Sequence, residues 1–272
     1  MIFRNIPSTN EPLPAIGLGT WQTFDVANPG STALAEVLQT FCNAGGRLID
    51  TSPMYGRAEA AIGMLTAGQE WREKLFYATK VWTTGKEAGI RQVETSMRRM
   101  GRESVDLMQI HNLVDWETHI VTLRQWKEEG RIRYIGITHY TDVYHESLEK
   151  IIDKEPIDFV QVNFSLFDRN AERRLLPMAA EKGVATLINR PFGEGKYLAR
   201  LSGKALPPWA KEAGIDSWGQ FLLGYILSNP AVTCAIPATG NPAHLSENMK
   251  AGSLSLPDAQ LRLKMIEFVK GI

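Results

Sequence analysis

The chain is short of cysteine, of net charge and of long apolar runs, and each shortage removes a class of protein. Only two cysteines, Cys42 and Cys234, occur in 272 residues. Each lies inside an apolar run, which excludes a disulfide framework or a four-cysteine metal site. They read as core thiols and point to a reducing, cytoplasmic setting. Thirty Lys and Arg against thirty Asp and Glu leave a formal charge of zero. With no field to hold a phosphate backbone or an anionic lipid surface, neither nucleic acid nor membrane is expected as a partner. No run approaches the roughly 18 apolar residues of a spanning helix, and Met1 to Pro7 has no basic stretch leading into a long apolar core, so no export signal is read. The histidines show no ligand spacing such as HExxH, and no metal is expected. What is present is 44% apolar and 22% charged residues, a globular composition for which a small-molecule site is the default.

Short β-branched or aliphatic runs recur along the chain, each followed by a stretch with helical periodicity. They are Ala15 to Gly19, Arg47 to Thr51, Leu75 to Lys80, Val105 to Ile110, Ile132 to Thr138, Phe159 to Asn163, Val184 to Asn189 and Val232 to Pro237. Their starts lie roughly thirty residues apart, with a longer gap before the last, which is the length of a strand, a crossover helix and two loops. A doubly wound open sheet uses the same alternation, but eight units without a strong glycine fingerprint favour closure. The expected fold is therefore α/β, a single-domain (β/α)8 TIM barrel over residues 1–272. A short N-terminal hairpin before Ala15 is expected to close its floor. Ser31 is expected to cap a helix whose Leu34, Val37, Leu38 and Phe41 share one face. Further helices are expected over Glu117 to Glu129 and Asp142 to Asp153, and Arg190 to Ser217 as a loop.

In such a barrel the chemistry sits where strands end. The second run ends in Asp50 and leads to Tyr55, the third ends in Lys80 and the fourth leads into His111, so an acid, a phenol, an amine and an imidazole converge on one mouth. Singly each has a bland explanation as a cap, a rim residue, a solvated charge or a core histidine. Together they have a chemical one. Lys80 is buried at low cost only if Asp50 on the adjacent strand pairs with it. An ammonium beside Tyr55 stabilises phenolate and is expected to lower the phenol pKa from about 10 towards working pH.

These segments resemble the aldo-keto reductase superfamily from about Leu13 to about Met249. Ile16 to Trp21 is similar to the family's first strand, Gly46 to Gly56 (GGRLIDTSPMYG) to its aspartate-to-tyrosine motif, Tyr77 to Trp82 to its lysine strand, and Val105 to Asn112 (VDLMQIHN) to its histidine strand. The resemblance implies hydride transfer between a nicotinamide cofactor, NADP(H) or NAD(H), and a carbonyl carbon. Tyr55 would be the general acid, Asp50 and Lys80 would tune it, and neutral His111 would orient the substrate oxygen. Trp21 and Trp82, with Met54 and Trp116 as weaker candidates, would line the substrate pocket.

For the cofactor the resemblance implies Gly19, Thr20, Trp21 and Asp50 near the first two strands and Gln161 on the sixth. The helix announced by Asn241 and Pro242 would take the adenosine end, with Pro237, Ala238, Thr239, His244, Glu247 and Asn248. Free amides at its start can hold an anion. Several positions depart from the family's pattern. Thr138 and His139 stand for its serine-asparagine pair, and Asn189 for its stacking aromatic, followed by Arg190, Pro191, Phe192, Gly193, Gly195 and Lys196. Ala238 and His244 stand where many relatives carry a lysine and an arginine on the 2′-phosphate, so weakened discrimination between NADPH and NADH is expected. Arg190 or Lys196 is available to compensate, and either Arg190 or Phe192 to cover the nicotinamide.

Two other functions also fit these residues. One is a cofactor-sensing or partner-binding protein of the same fold, like the potassium-channel β subunits. The other makes Lys80 a Schiff-base lysine of an aldolase-type barrel. The expected function is a monomeric enzyme acting on a small-molecule carbonyl. The short loop Asn112 to Glu117 and the chain's end at Ile272 suggest an open pocket.

Overall fold

The β-branched runs pair side by side in chain order, as their alternation with helices requires. In the computed structural model, which describes residues 1–272, the eight barrel strands are β3 Leu18–Gly19, β4 Leu48–Asp50, β5 Phe76–Val81, β6 Val105–His111, β7 Ile132–Thr138, β8 Phe159–Asn163, β9 Ala185–Asn189 and β10 Cys234–Ala235. All neighbouring pairs are parallel. The sheet curls until its ends meet, where Ile16 bridges Ala235 and Gly19 bridges Ala238. These two single bridges form a seam rather than a full ladder. β3 and β10 are correspondingly shorter than the runs Ala15 to Gly19 and Val232 to Pro237, and Pro237, with no N–H to donate, bars β10 from continuing at its carboxyl end.

Ahead of the barrel, β1 Phe3–Asn5 and β2 Pro12–Pro14 pair antiparallel as the expected hairpin. Its Ile6 and Leu13 are fully buried and join the lumen cluster of Leu48, Phe76, Leu107, Tyr134, Phe159 and Leu187. The hairpin thus fills the barrel floor. Glu11 ties it there, accepting from Arg47 at 3.2 Å, from the Tyr134 hydroxyl at 2.7 Å and from Arg133.

Side chains two residues apart on a strand share a face, so the lumen is layered. On β5 the inward series runs Phe76, Ala78, Lys80; on β6 Leu107, Gln109, His111; on β8 Phe159, Gln161. Apolar residues fill the floor and polar ones occupy the carboxyl end. β7 contributes Gly136 to the middle layer, and a Cβ there would lie 2.8 Å from Cγ of Gln109. The missing side chain makes room for that glutamine.

Twelve helices accompany the strands: α1 Leu34–Asn43, α2 Ala58–Thr66, α3 Lys86–Arg99, α4 Trp116–Glu128, α5 His145–Lys154, α6 Asn170–Arg173, α7 Leu175–Glu181, α8 Lys196–Leu201, α9 Pro208–Glu212, α10 Trp218–Leu227, α11 Pro242–Ala251 and α12 Ala259–Lys270. α1 buries Leu34, Val37, Leu38 and Phe41, the face that its spacing predicts. Ser31 is not its cap. It closes a 3-10 turn over Pro29–Ser31 with its hydroxyl on the Asn28 carbonyl, and Thr32 Oγ1 accepts from the Leu34 amide at 3.2 Å instead. The Asp142 helix begins as a 3-10 turn, Asp142–Tyr144, before α5. The segment expected as a loop from Arg190 to Ser217 carries α8 and α9, because Gly193 and Gly195 turn the chain at positive φ and Pro208 starts a helical turn.

Candidate active site

The carboxyl ends of the strands surround a cavity of about 610 Å³, within the roughly 300–1,000 Å³ of small-molecule sites. Gly19, Thr20, Trp21, Asp50, Met54, Tyr55, Trp82, His111, Thr138, Gln161, Asn189, Arg190, Pro191, Phe192, Gly195 and Ala238 all line it. Of the four residues singled out for chemistry, three face the cavity and Lys80 lies just beneath.

Lys80 Nζ donates to Asp50 Oδ2 and to the Thr51 carbonyl, each at 2.7 Å, leaving one N–H of its three. Nζ is 5.0 Å from the centroid of the Tyr55 ring. Desolvation pulls the Lys80 pKa down, but Asp50 and Tyr55 outweigh it and the ammonium is held above its ordinary value. A protonated, ion-paired lysine is a poor nucleophile, and this pairing argues against the Schiff-base reading. The second oxygen of Asp50, Oδ1, accepts from two buried amides, Gln109 Nε2 and Gln161 Nε2, both at 2.9 Å.

Tyr55 is presented by the turn after β4, where its amide donates to the Ser52 carbonyl at 2.9 Å. Gly56 follows at φ +61°, and a Cβ there would lie 2.5 Å from the Asp25 carboxylate, so the turn favours glycine. The phenol pKa is raised, contrary to the expectation of a depressed one: burial penalises phenolate more than Lys80 stabilises it, and Asp50 opposes the lysine. The hydroxyl therefore holds its proton at neutral pH. The His111 ring packs edge-on to Tyr55, with centroids 5.9 Å apart. Burial, then the nearby charges of Lys80 and His139, push its pKa down to about 3. It is neutral at working pH.

Other expected residues lie elsewhere. His139 turns from the cavity, stacking on Tyr144 at 3.7 Å with Nδ1 accepting from the Thr141 amide. Trp116 packs half-buried against the outer core. Gly193 and Lys196 line a smaller neighbouring pocket with Asn163 and Tyr197. At α11, Pro242 takes the first turn and Asn241 caps it, as expected, but Asn241 Oδ1 itself accepts from the Ala243 and His244 amides at 2.8 and 3.4 Å. Thr239 Oγ1 likewise accepts from the Asn241 amide at 3.1 Å. Glu247 pairs with Lys250 and Gln220, and Asn248 is buried. Fewer free donors remain around Pro237 and Ala238 than the sequence suggests.

Sequence reasoning missed Gln109, Ser52, Tyr140 and Glu194. Gln109 lies two residues before His111 on the same strand face, a spacing that would have found it. Tyr140 and Glu194 meet Arg190, whose backbone sits at φ +48°. Its guanidinium lies 4.5 Å from the Tyr140 ring and 5.4 Å from the Trp21 ring, and pairs with Glu194 at 2.8 Å.

A barrel whose mouth carries a phenol, a buried ammonium-carboxylate pair and a neutral imidazole is built for acid-base work at an oxygen. The family model described as Aldo/keto reductase family matches residues 15–264, and the chain belongs to that family. It is 28% identical to the methylglyoxal reductase YeaE of Escherichia coli, over 92% of this chain and 89% of that one. It is 31% identical to an aldo-keto reductase of Mycolicibacterium smegmatis, over 87% and 82% of the two chains. Among solved structures, a thermostable aldo-keto reductase, Tm1743, bound to the inhibitor epalrestat, superposes with a TM-score of 0.82 at 29% identity, covering 98% of this chain and 99% of that one. An aldo-keto reductase of Klebsiella pneumoniae in complex with NADPH has the same fold, with a TM-score of 0.83 at 23% identity over 98% and 95% of the chains.

Proposed function

We propose that this chain reduces aldehyde or ketone carbonyls to alcohols, using NADPH or NADH. The observation that carries the reading is the Tyr55 phenol, protonated, beside the Lys80–Asp50 pair and a neutral His111 at one wall of the cavity. The NADPH complex of the K. pneumoniae relative and the methylglyoxal reductase activity named for the E. coli relative support it.

The residues present fit a nicotinamide dinucleotide. Asn189 Oδ1 is buried without a partner, and Gln161 Oε1 has only a 3.5 Å contact from the Thr138 hydroxyl. Both are free to accept from a carboxamide. Arg190, at the rim, is the cation available to phosphate or to cover a flat ring. When bound, the dinucleotide supplies the hydride.

The protein's own residues do the rest. Tyr55 gives its proton to the carbonyl oxygen as hydride reaches the carbon, and the Lys80 ammonium stabilises the phenolate left behind. Asp50, held by two glutamine amides, keeps Lys80 in place. His111 fixes the carbonyl oxygen next to Tyr55, and Trp21, Met54 and Trp82 exclude water from its apolar side. The chain's partner is then a small carbonyl compound. The reading is tested by titrating the protein with NADPH and NADH, following tryptophan quenching, and assaying dinucleotide oxidation with small aldehydes. Micromolar binding and turnover are expected; binding of neither dinucleotide overturns it.

A further inference from the structure

Ser52 is fully buried, and its Oγ has two partners: it accepts from the Met54 amide at 3.2 Å and lies 3.0 Å from Nδ1 of His111. No carbonyl or carboxylate takes its hydroxyl proton. A buried hydroxyl without an acceptor is costly, and the one acceptor within reach is an unprotonated Nδ1. If Nδ1 carried the proton instead, Ser52 Oγ would receive two N–H groups while its own proton had no partner. A neutral imidazole holds a single proton, so satisfying Ser52 places that proton on Nε2. Nε2 has no partner within the protein, and His111 lines the cavity.

We propose that Ser52 is a positioning residue that locks His111 in the Nε2–H tautomer, so that the imidazole offers a carbonyl oxygen a donor rather than a lone pair. The inference rests on the reductase reading for its catalytic meaning, but the tautomer is a property of the protein alone. A carbonyl oxygen gaining negative charge is held by donors and repelled by a lone pair. With Tyr55 Oη and His111 Nε2 both donating, one oxygen receives two hydrogen bonds and its orientation is fixed. The depressed pKa of the ring agrees with this arrangement, since the neutral ring needs an outside device to choose between its two tautomers.

The test is a two-bond proton-nitrogen correlation spectrum of the full chain labelled with 15N-histidine at pH 7, with His111 assigned by the resonances that His111→Asn removes. A pyridine-type Nδ1 and a pyrrole-type Nε2 are expected for His111. In Ser52→Ala the two tautomers mix, kcat/KM for an aldehyde falls about tenfold, the loss of one orienting hydrogen bond, and dinucleotide affinity is unchanged. Ser52→Thr, which keeps the hydroxyl, restores the wild-type spectrum. A pyrrole-type Nδ1 in the wild type overturns the proposal whether or not any variant folds, as does a folded Ser52→Ala with an unaltered tautomer. Failure of the wild type to turn over any carbonyl defeats the reductase reading instead, and the spectrum still decides the tautomer.

Discussion

Lys80 Nζ sits 2.7 Å from Asp50 Oδ2, and the lysine side chain has no exposed surface while the aspartate has 3%. Removing one partner of such a pair leaves a buried charge without compensation, at a cost of about 3–5 kcal/mol. Lys80→Met is therefore expected to lower the urea midpoint strongly and abolish turnover. Adding Asp50→Asn to it removes the stranded carboxylate, and most of the stability returns without activity. Equal midpoints for the single and double variants would show that the pair contributes little.

Tyr55→Phe deletes the proton donor while keeping the ring beside His111. Turnover in the direction of reduction is expected to fall by about 10²–10⁴-fold, with dinucleotide binding unchanged in a fluorescence titration. Because burial raises the Tyr55 pKa, wild-type kcat is expected to stay level through neutral pH and to decline only in the strongly alkaline range. Full activity of the phenylalanine variant would remove Tyr55 from the chemistry.

His111 links stability to pH. Its pKa is about 3 when folded and about 6.5 when unfolded. Below pH 6.5 the unfolded chain takes up a proton that the native ring refuses. Stability is therefore full above that pH and declines as pH falls, by at most about 1.4 kcal/mol per pH unit from this group. Urea midpoints measured between pH 7 and pH 5 should fall more steeply in the wild type than in His111→Asn. Parallel slopes would mean the ring protonates without penalty.

Ala238 lies on the wall of the cavity, and the amides at the start of α11 are occupied by Asn241. Ala238→Lys supplies a cation and is expected to tighten NADPH about tenfold, a charge-assisted contact, while NADH is unaffected. Competitive titration of the two dinucleotides measures this. Equal gains for both would place the 2′-phosphate elsewhere.

Arg190 holds a left-handed backbone, so Arg190→Gly removes the guanidinium without straining the chain. Its contacts with Trp21 and Tyr140 are at the exposed rim, and little stability is expected to be lost. Dinucleotide affinity is expected to weaken about tenfold, and more at low salt than at high salt, as for a charge-charge contact. Unchanged affinity would leave Arg190 as a rim residue only.

Most of the fold was legible because period-two strands and glycine-stopped helices leave local marks. Where marks compete, local reading failed. Ser31 looks like a cap, but Asn28-Pro29 forms a 3-10 turn first, and Arg190 to Ser217 is rich in turn residues yet carries two short helices. At the site, Asp50, Tyr55, Lys80 and His111 stood out because polar groups at strand ends are conspicuous. The direction of the Tyr55 pKa was not legible, since it depends on how far Asp50 offsets Lys80 and how dry the phenol is. Gln109 hides inside an apolar strand, and its place depends on Gly136 across the sheet. Nor does a sequence reveal that Asn241 uses up the amides of its own helix, or that His139 turns to Tyr144.

The seam between β3 and β10 has a mechanical meaning. Every other junction around the hoop is a paired ladder, whereas this one is a stitch of two bridges, at Ile16 and Gly19. Gly19, Ile236 and Ala238, from both lips of the stitch, also line the cavity. A ligand that touched both lips at once would act as a buckle, and occupancy and hoop closure would then reinforce one another by mass action. The amides of Gly17 and Gly19, which donate across the stitch to Ala235 and Pro237, are where hydrogen exchange would register that buckle being fastened.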